Sequence, residues 1–355
     1  GIHFEGDYLA TLNRIDATIW WNTHVLQGSK YMAVGNEGWY DRYSPVDYSL
    51  NYTSPITRNM PKLQMHVNSR YLDGLWFHKA GLNWLISDRN TINLSAQTMW
   101  RQNAAALDYL TDRNDWSSDD RQKNTSLNLA WTHRYNYMNG AGSYTFSFRT
   151  PFLNSKNGSY DYSYAQLESI NTNYLGKLEI RTRLIGRYGT GKALPYESAL
   201  YLAGASPEEQ MENKFTRSNG FIPNDWQDIS QYDLSHFQQG GGLNLRGYAG
   251  YYAPDERLGA SYVGYKGRSG AAANVEIDFS NWMPWHPRLL RNWLHANIYA
   301  FGDAGVMELS KYSIHNYYTI YPADGYWSNI HVDAGLGTAI TIKNWGVFEK
   351  ARPLT

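Results

Sequence analysis

The sequence predicts an all-β chain folded as a transmembrane antiparallel β-barrel. Three observations lead there: few charges beside many aromatics, a polar average, and apolar residues recurring with period two. Charged residues make up 18% of the 355 and aromatics 15%, with 30 Tyr and 14 Trp. Soluble domains average about 25% charged. Yet mean hydropathy is −0.58. The longest unbroken apolar run, Ala199–Ala203, falls far short of the roughly 20 residues a spanning helix needs. A barrel wall reconciles these facts. It is one residue thick, so half its side chains face lipid and half a polar interior, and Trp and Tyr gather at both lipid–water boundaries. A soluble sugar-binding β-protein, also rich in Tyr and Trp, is the competing reading from composition.

Several classes are excluded at once. Lys plus Arg equals Asp plus Glu at 32 each, so no net field steers a nucleic acid, and none is expected as a partner. Without cysteine there is no disulfide framework and no cysteine metal site. No basic and apolar leader opens the chain, so an exported protein beginning here is expected to be a mature fragment.

Alternation locates the wall. Ile15, Ala17, Ile19 and Trp21 oppose Asp16, Thr18 and Asn22; Leu63, Met65, Val67 and Tyr71 oppose Lys62, Gln64, His66, Asn68 and Arg70. Ile92, Leu94, Ala96 and Trp100 oppose Asn93, Ser95, Gln97 and Arg101. Tyr144, Phe146 and Phe148 oppose Ser143, Thr145, Ser147 and Arg149, while Leu178, Ile180 and Leu184 oppose Glu179, Arg181 and Arg183. About ten residues of such alternation is the length of a tilted membrane strand. The polar face carries full charges, which a wet or plugged lumen accepts. Trp21, Trp100, Trp131 and Tyr144 fall with the apolar set and are expected in an aromatic belt facing lipid.

Fourteen strands are expected, at 2–9, 13–22, 46–53, 62–71, 76–87, 91–101, 126–134, 142–149, 160–171, 178–187, 197–203, 271–281, 294–306 and 331–342. With no repeat beyond alternation and no linker composition, 1–355 reads as a single barrel domain. The segment Pro284–Leu294 reads as a short helix between strands. Long connections fall at 23–45, 102–125, 204–270 and 307–330. This count sets 23–45 and 102–125 at the end opposite 204–270, whereas such barrels keep long loops at one end. Merging the first two strands into one bent strand, with a further strand before 240, would remove the conflict.

Most motifs carry no chemistry. Gly186–Lys192 has phosphate-loop spacing, but Ala193 stands where Ser or Thr should hold magnesium and Pro195 breaks the following helix, so it reads as a strand-connecting turn. The ten His form no pair at metal-ligand spacing, and no Ser occupies a nucleophile elbow. No catalytic residues, metal or cofactor are expected, and the sequence given reads as non-enzymatic.

One constellation carries meaning. Gly240-Gly241-Gly242-Leu243-Asn244-Leu245-Arg246-Gly247-Tyr248 sits in the longest connection, where glycines let backbone turn and approach a wall. With Val275, Ile277 and Phe279 outward, Glu276 falls on the lumen face. With Ala296, Ile298 and Ala300 outward, Phe301 and Asp303 of Phe301-Gly302-Asp303-Ala304-Gly305 point inward too. A buried Arg needs carboxylate partners, ideally bidentate. Arg246 is therefore expected inside the barrel, within hydrogen-bond reach of Glu276 or Asp303.

Leu245-Arg246-Gly247-Tyr248 in a long loop, then the strand with inward Glu276, then F-x-D-x-G from Phe301 to Gly305, resembles the barrel superfamily of BamA, TamA and the two-partner-secretion transporter FhaC. The segment Asp333-Ala334-Gly335-Leu336-Gly337 is similar to that family's fourteenth strand. The resemblance covers about 240–337. It implies a sixteen-strand barrel in the bacterial outer membrane, whose loop between strands eleven and twelve folds into the lumen and docks its arginine on strands twelve and thirteen. It also implies outer-membrane lipid, client polypeptides and periplasmic or surface accessory subunits as partners. The implied activity is polypeptide assembly, insertion or translocation through a seam between first and last strands, with 2–9 supplying the edge. Two departures stand out. No POTRA module is present, and the strands stop about two short, with Pro353-Leu354-Thr355 similar to a fifteenth strand's start, so a fragment of a longer polypeptide is expected. Gly6-Asp7-Tyr8-Leu9 and Ile15-Asp16-Ala17 also resemble barrels fused to Bacteroidota gluzincin aminopeptidases. That implies the alternative of a membrane anchor for an upstream metallopeptidase.

Overall fold

The computed structural model describes residues 2–8, 13–21, 46–57, 59–72, 75–101, 123–152, 160–191, 194–212, 240–248, 253–255, 261–263, 266–282, 294–309 and 326–342. Ten strands come first: β1 (Ile2–Tyr8), β2 (Asn13–Trp21), β3 (Val46–Pro55), β4 (Leu63–Leu72), β5 (Leu75–Leu85), β6 (Asn90–Arg101), β7 (Asn124–Tyr137), β8 (Gly140–Pro151), β9 (Ser163–Leu175) and β10 (Leu178–Thr190). A long connection holds β11 (Leu200–Tyr201), helix α1 (Pro207–Glu212), β12 (Ala253–Asp255) and β13 (Ser261–Val263). After it come β14 (Lys266–Asp278), β15 (Leu294–Leu309), β16 (Tyr326–Trp327) and β17 (His331–Ile342).

All but β12 and β13, which pair with each other, join one fifteen-stranded antiparallel sheet. Two of the fifteen, β11 and β16, are two residues long, leaving thirteen that form the wall. Each wall strand pairs with its sequence neighbours; β10 meets β14 and β15 meets β17. Among the described residues, the far edges of β1 and β17 carry no partner strand.

Burial is inverted relative to a soluble sandwich. Leu184 is 57% exposed and Leu336 80%, on the outward face, while Arg70, Gln97, Asn124, Arg149 and Asp303 are buried inside. A one-layer wall with an apolar exterior and a polar interior gives this pattern. The wall wraps around a plug, because parts of the long connection touch β4–β8 on one side and β10, β14, β15 and β17 on another.

Three expectations need correction. The segments 2–9 and 13–22 are not one bent strand: β1 and β2 pair antiparallel from Ile2↔Ile19 to Tyr8↔Asn13. The strand expected over 197–203 shrinks to Leu200–Tyr201, and its apolar side chains pack inside against Leu243, Leu245 and Met307 rather than outward on lipid. Ten wall strands therefore precede the plug loop, not eleven. Because antiparallel strands alternate direction, removing one moves every later connection to the other end. Connections 22–45, 73–74, 102–123, 152–162, 191–265 and 310–330 now leave one end, and 9–12, 56–62, 86–89, 138–139, 176–177 and 279–293 the other. The longest connections share an end, as barrels of this kind require, and the conflict in the sequence count disappears.

Third, Gly186–Thr190 is not a turn but the end of β10, paired with β9 and β14. Gly189 is needed there because a Cβ would sit 2.5 Å from the Arg268 carbonyl oxygen. The helix expected over Pro284–Leu294 lies outside the described residues except for Leu294, which opens β15.

Aromatic side chains cluster on the outer face at two levels. Trp76 stacks on Trp100 at 5.7 Å near the end with the longest connections. Near the other end Trp131 meets Tyr144 edge-on at 5.5 Å, with His133 stacked on Tyr144. Trp21 and Trp131 are exposed.

Candidate functional site: a loop clamped into the lumen

The site begins with three glycines. Gly240, Gly241 and Gly242 all have positive φ, and so does Asn244. At Gly241 a Cβ would lie 2.5 Å from Ala205 Cα, and at Gly242 2.5 Å from the Tyr201 carbonyl oxygen. The glycines thus let 240–245 lie flat against 201–205. Leu243 N donates to Tyr201 O (2.9 Å) and Leu245 N to Leu202 O (3.0 Å). Leu200, Leu202, Leu243 and Leu245 then share a core with Ile185, Ala272 and Met307 of the wall. Burying such side chains contributes roughly 1.5–3 kcal/mol each.

A 3-10 turn, Arg246–Tyr248, closes on a bond from Tyr248 N to Leu245 O of 3.1 Å. It aims Arg246 at the wall. Arg246 Nε donates to Asp303 Oδ2 at 2.9 Å and Nη2 to Asp303 Oδ1 at 2.9 Å. Its backbone N also reaches Asp303 Oδ2, at 3.1 Å. Nη1 donates to Glu276 Oε2 at 2.8 Å. The guanidinium lies 4.0 Å from the centre of the Phe301 ring, the stacked geometry arginine favours. Burial alone would lower the Arg246 guanidinium, but Asp303 and then Glu276 hold it above its ordinary value.

Neighbouring wall residues support the clamp. Gly305 leaves room for Leu245, whose Cδ1 would be 2.8 Å from a Cβ there. Asn274 donates to Asp303 Oδ1 (3.1 Å) and Asn244 O (3.0 Å), locking carboxylate and loop together. Gly247 N donates to Asp333 Oδ2 at 3.0 Å, and Tyr248 meets the His331 ring edge-on at 5.1 Å. The structure thus brings Leu245, Arg246, Gly247, Tyr248, Glu276, Phe301, Asp303 and Gly305 into one cluster. Trp21, Trp100, Trp131 and Tyr144 stand apart from it on the outer face.

Sequence reasoning missed a second docking point. Ser206-Pro207-Glu208-Glu209 is a capping box: Ser206 N donates to Glu209 Oε2 (2.7 Å), Glu209 N donates to Ser206 Oγ (3.3 Å), and Pro207 takes the first helical position. The short α1 that follows presents Glu208 to Arg149 of β8, whose Nη1 donates to Oε1 at 2.9 Å and Oε2 at 2.7 Å. Gln97 and Ser198 also donate to Glu208, and Asn124 joins Arg149 to Ser198. Met211 packs among Leu72, Leu75, Phe77 and Met99, and Glu212 pairs with Lys79. The S-x-x-E spacing before a helix was the available signal. Among the described residues, no three His, Asp or Glu side chains gather as a metal site.

Fold and site together define a β-barrel in which described parts of the longest connection turn inward and are held by two ion-paired contacts, Arg246 with Asp303 and Glu276, and Glu208 with Arg149. No protein-family model and no curated protein matches the chain. Among solved structures it is similar to BamA from Haemophilus ducreyi lacking POTRA domains 1–3, with 13% identity over 97% of this chain and 63% of that chain, TM-score 0.44. It is also similar to OmpT, an outer membrane protein of Vibrio cholerae, with 8% identity over 92% of this chain and 76% of that chain, TM-score 0.38. The chain spans less than two thirds of the BamA chain it matches.

Proposed function

We propose that this chain is an integral outer-membrane barrel, a single domain within a longer polypeptide, that acts in the assembly, insertion or translocation of polypeptides at the outer membrane. The Arg246 clamp carries the reading: a Leu-Arg-Gly-Tyr loop held by inward Glu276 and Asp303 is the arrangement the resemblance to BamA, TamA and FhaC implies. A loop docked inside the lumen disfavours a passive pore. The edge of β1, paired only with β2 among the described residues, offers backbone donors and acceptors to a client strand by β-augmentation. Lipid cannot satisfy such groups. The test is reconstitution of the full-length protein in liposomes, followed by the rate at which an unfolded outer-membrane barrel inserts. Faster insertion than into empty liposomes supports the proposal; equal rates overturn it.

A second reading is a membrane anchor for an upstream metallopeptidase, with no chemistry in the barrel. The observation favouring it is the plug's attachment to two walls, by Arg246 and by Glu208, which suits a static support. Chelator-sensitive peptidase activity of the full-length protein, unchanged by clamp mutations, would select it.

A further inference from the structure

Glu208 is held far more elaborately than a loop residue requires. Its ion partner Arg149 is 1% exposed and its own side chain 15%. Both Glu208 oxygens accept from Arg149, and Gln97 and Ser198 complete the shell. Asn124 bridges the shell's far side: its Oδ1 accepts from Arg149 Nη2 at 2.6 Å and its Nδ2 donates to Ser198 Oγ at 2.8 Å.

The same helix also grips the rest of the plug. The Glu209 carboxylate accepts Gly242 N at 3.2 and 3.3 Å, and Gly242 O accepts from Arg183 Nη2 at 2.8 Å. Gly242 is four residues before Arg246. Two ion-paired anchors on different parts of the wall are therefore joined through one turn of helix and one glycine. The inward side chains that the plug buries, from Leu72 and Met99 to Ile185 and Met307, lie toward the end with the longest connections. The inward residues toward the tight turns, such as Arg134 and Arg181, remain exposed.

We propose that Glu208–Arg149 is a latch that holds the plug shut across the lumen, and that its release opens an ion-conducting path without unfolding the wall. The physical basis is the asymmetry of a buried ion pair. Intact, it is about neutral for stability; with one partner removed, the other is left buried and charged, which drives the segment out toward water. The latch ties the plug to β8 and the Arg246 clamp ties it to β14 and β15, so the plug stays attached at the clamp when the latch lets go.

The proposal rests on the reading of the chain as a membrane barrel, so folding is measured separately. Full-length protein is inserted in planar bilayers and its conductance in potassium chloride recorded, with heat-modifiable gel mobility reporting an intact wall. Failure of wild-type protein to insert would count against the barrel itself; an inserted but insensitive protein counts against the latch alone. Glu208→Gln should raise open probability about tenfold or more. Ser198→Ala, which keeps the ion pair and removes one hydrogen bond, should raise it about threefold. The chain has no cysteine, so Asn124→Cys with Ser198→Cys, joined by a short thiol cross-linker, should return the Glu208→Gln protein to the closed level. Folded Glu208→Gln protein with wild-type conductance overturns the latch. If that variant does not fold, Ser198→Ala decides, and unchanged conductance there overturns it equally.

Discussion

Arg246 and Asp303 share a two-pronged contact, Nε to Oδ2 and Nη2 to Oδ1 at 2.9 Å each, across 57 residues of sequence. The Asp303 side chain is fully buried and that of Arg246 17% exposed. A contact this enclosed is costly to break from one side only. Arg246→Ala is therefore expected to lower barrel stability by about 3 kcal/mol. Arg246→Lys, which keeps the charge and loses the fork, should recover only part of that loss. Urea unfolding in detergent, followed by heat-modifiable mobility, measures both. A wild-type midpoint for the alanine variant would mean the clamp does not hold the fold together.

Glu208 gives a pH dependence. Burial alone would raise its carboxyl, but Arg149, then Ser198 and Gln97, outweigh that and hold it below the ordinary range. A folded value below the unfolded one gives stability that is fully present above the unfolded value of about 4.3. That stability is lost as pH falls through the folded value. The stability difference between wild type and Glu208→Gln should thus be constant near neutrality and narrow below about pH 4. A difference that stays constant into acid would show that the charge of Glu208 contributes nothing.

The glycines offer a paired test. Gly242→Ala places a Cβ 2.5 Å from the Tyr201 carbonyl oxygen and 2.6 Å from that of Gly204, at a φ of 53°. It should cost about 2 kcal/mol. At Gly186 a Cβ would meet nothing within 4 Å, so Gly186→Ala should stay within about 0.5 kcal/mol. Thermal unfolding of both variants side by side checks this; equal shifts would mean that close packing of 240–245 on 201–205 is unimportant.

Trp21, Trp100, Trp131 and Tyr144 bear on the membrane reading. Trp21 and Trp131 are exposed on the outer face, Tyr144 lies against Trp131, and Trp100 lies against Trp76. In brominated lipid, Trp→Phe at 21, 100 or 131 should each remove part of the quenched emission, most strongly with bromines near the headgroups. If these substitutions leave the quenched fraction unchanged, the outer face does not contact lipid.

Much of the clamp was legible because strand parity is rigid. Once Val275 and Ile277 are outward, Glu276 must be inward, and the same rule turns Asp303 inward beside it. Asp333 was not assigned a role, although its place follows from register: it sits directly across from Asp303. The Arg149–Glu208 pair, 59 residues apart, was not legible. Arg149 shows only as a polar-face residue of its strand, and nothing local says which loop residue will reach it.

The sequence by itself determined the wall: period-two alternation over about ten residues, low charge and abundant aromatics admit few other architectures, because side-chain direction in a strand is set by the backbone alone. Only the tertiary structure decided where the apolar run Ala199–Ala203 goes. Its residues suit a lipid-facing strand and a plug core equally well, since both offer an apolar surface and differ only in what supplies it. The lumen takes Leu200 and Leu202 because Leu243, Leu245 and Met307 are waiting there. That choice removes one strand from the wall, sets the longest connections at one end, and brings Glu208 within reach of Arg149.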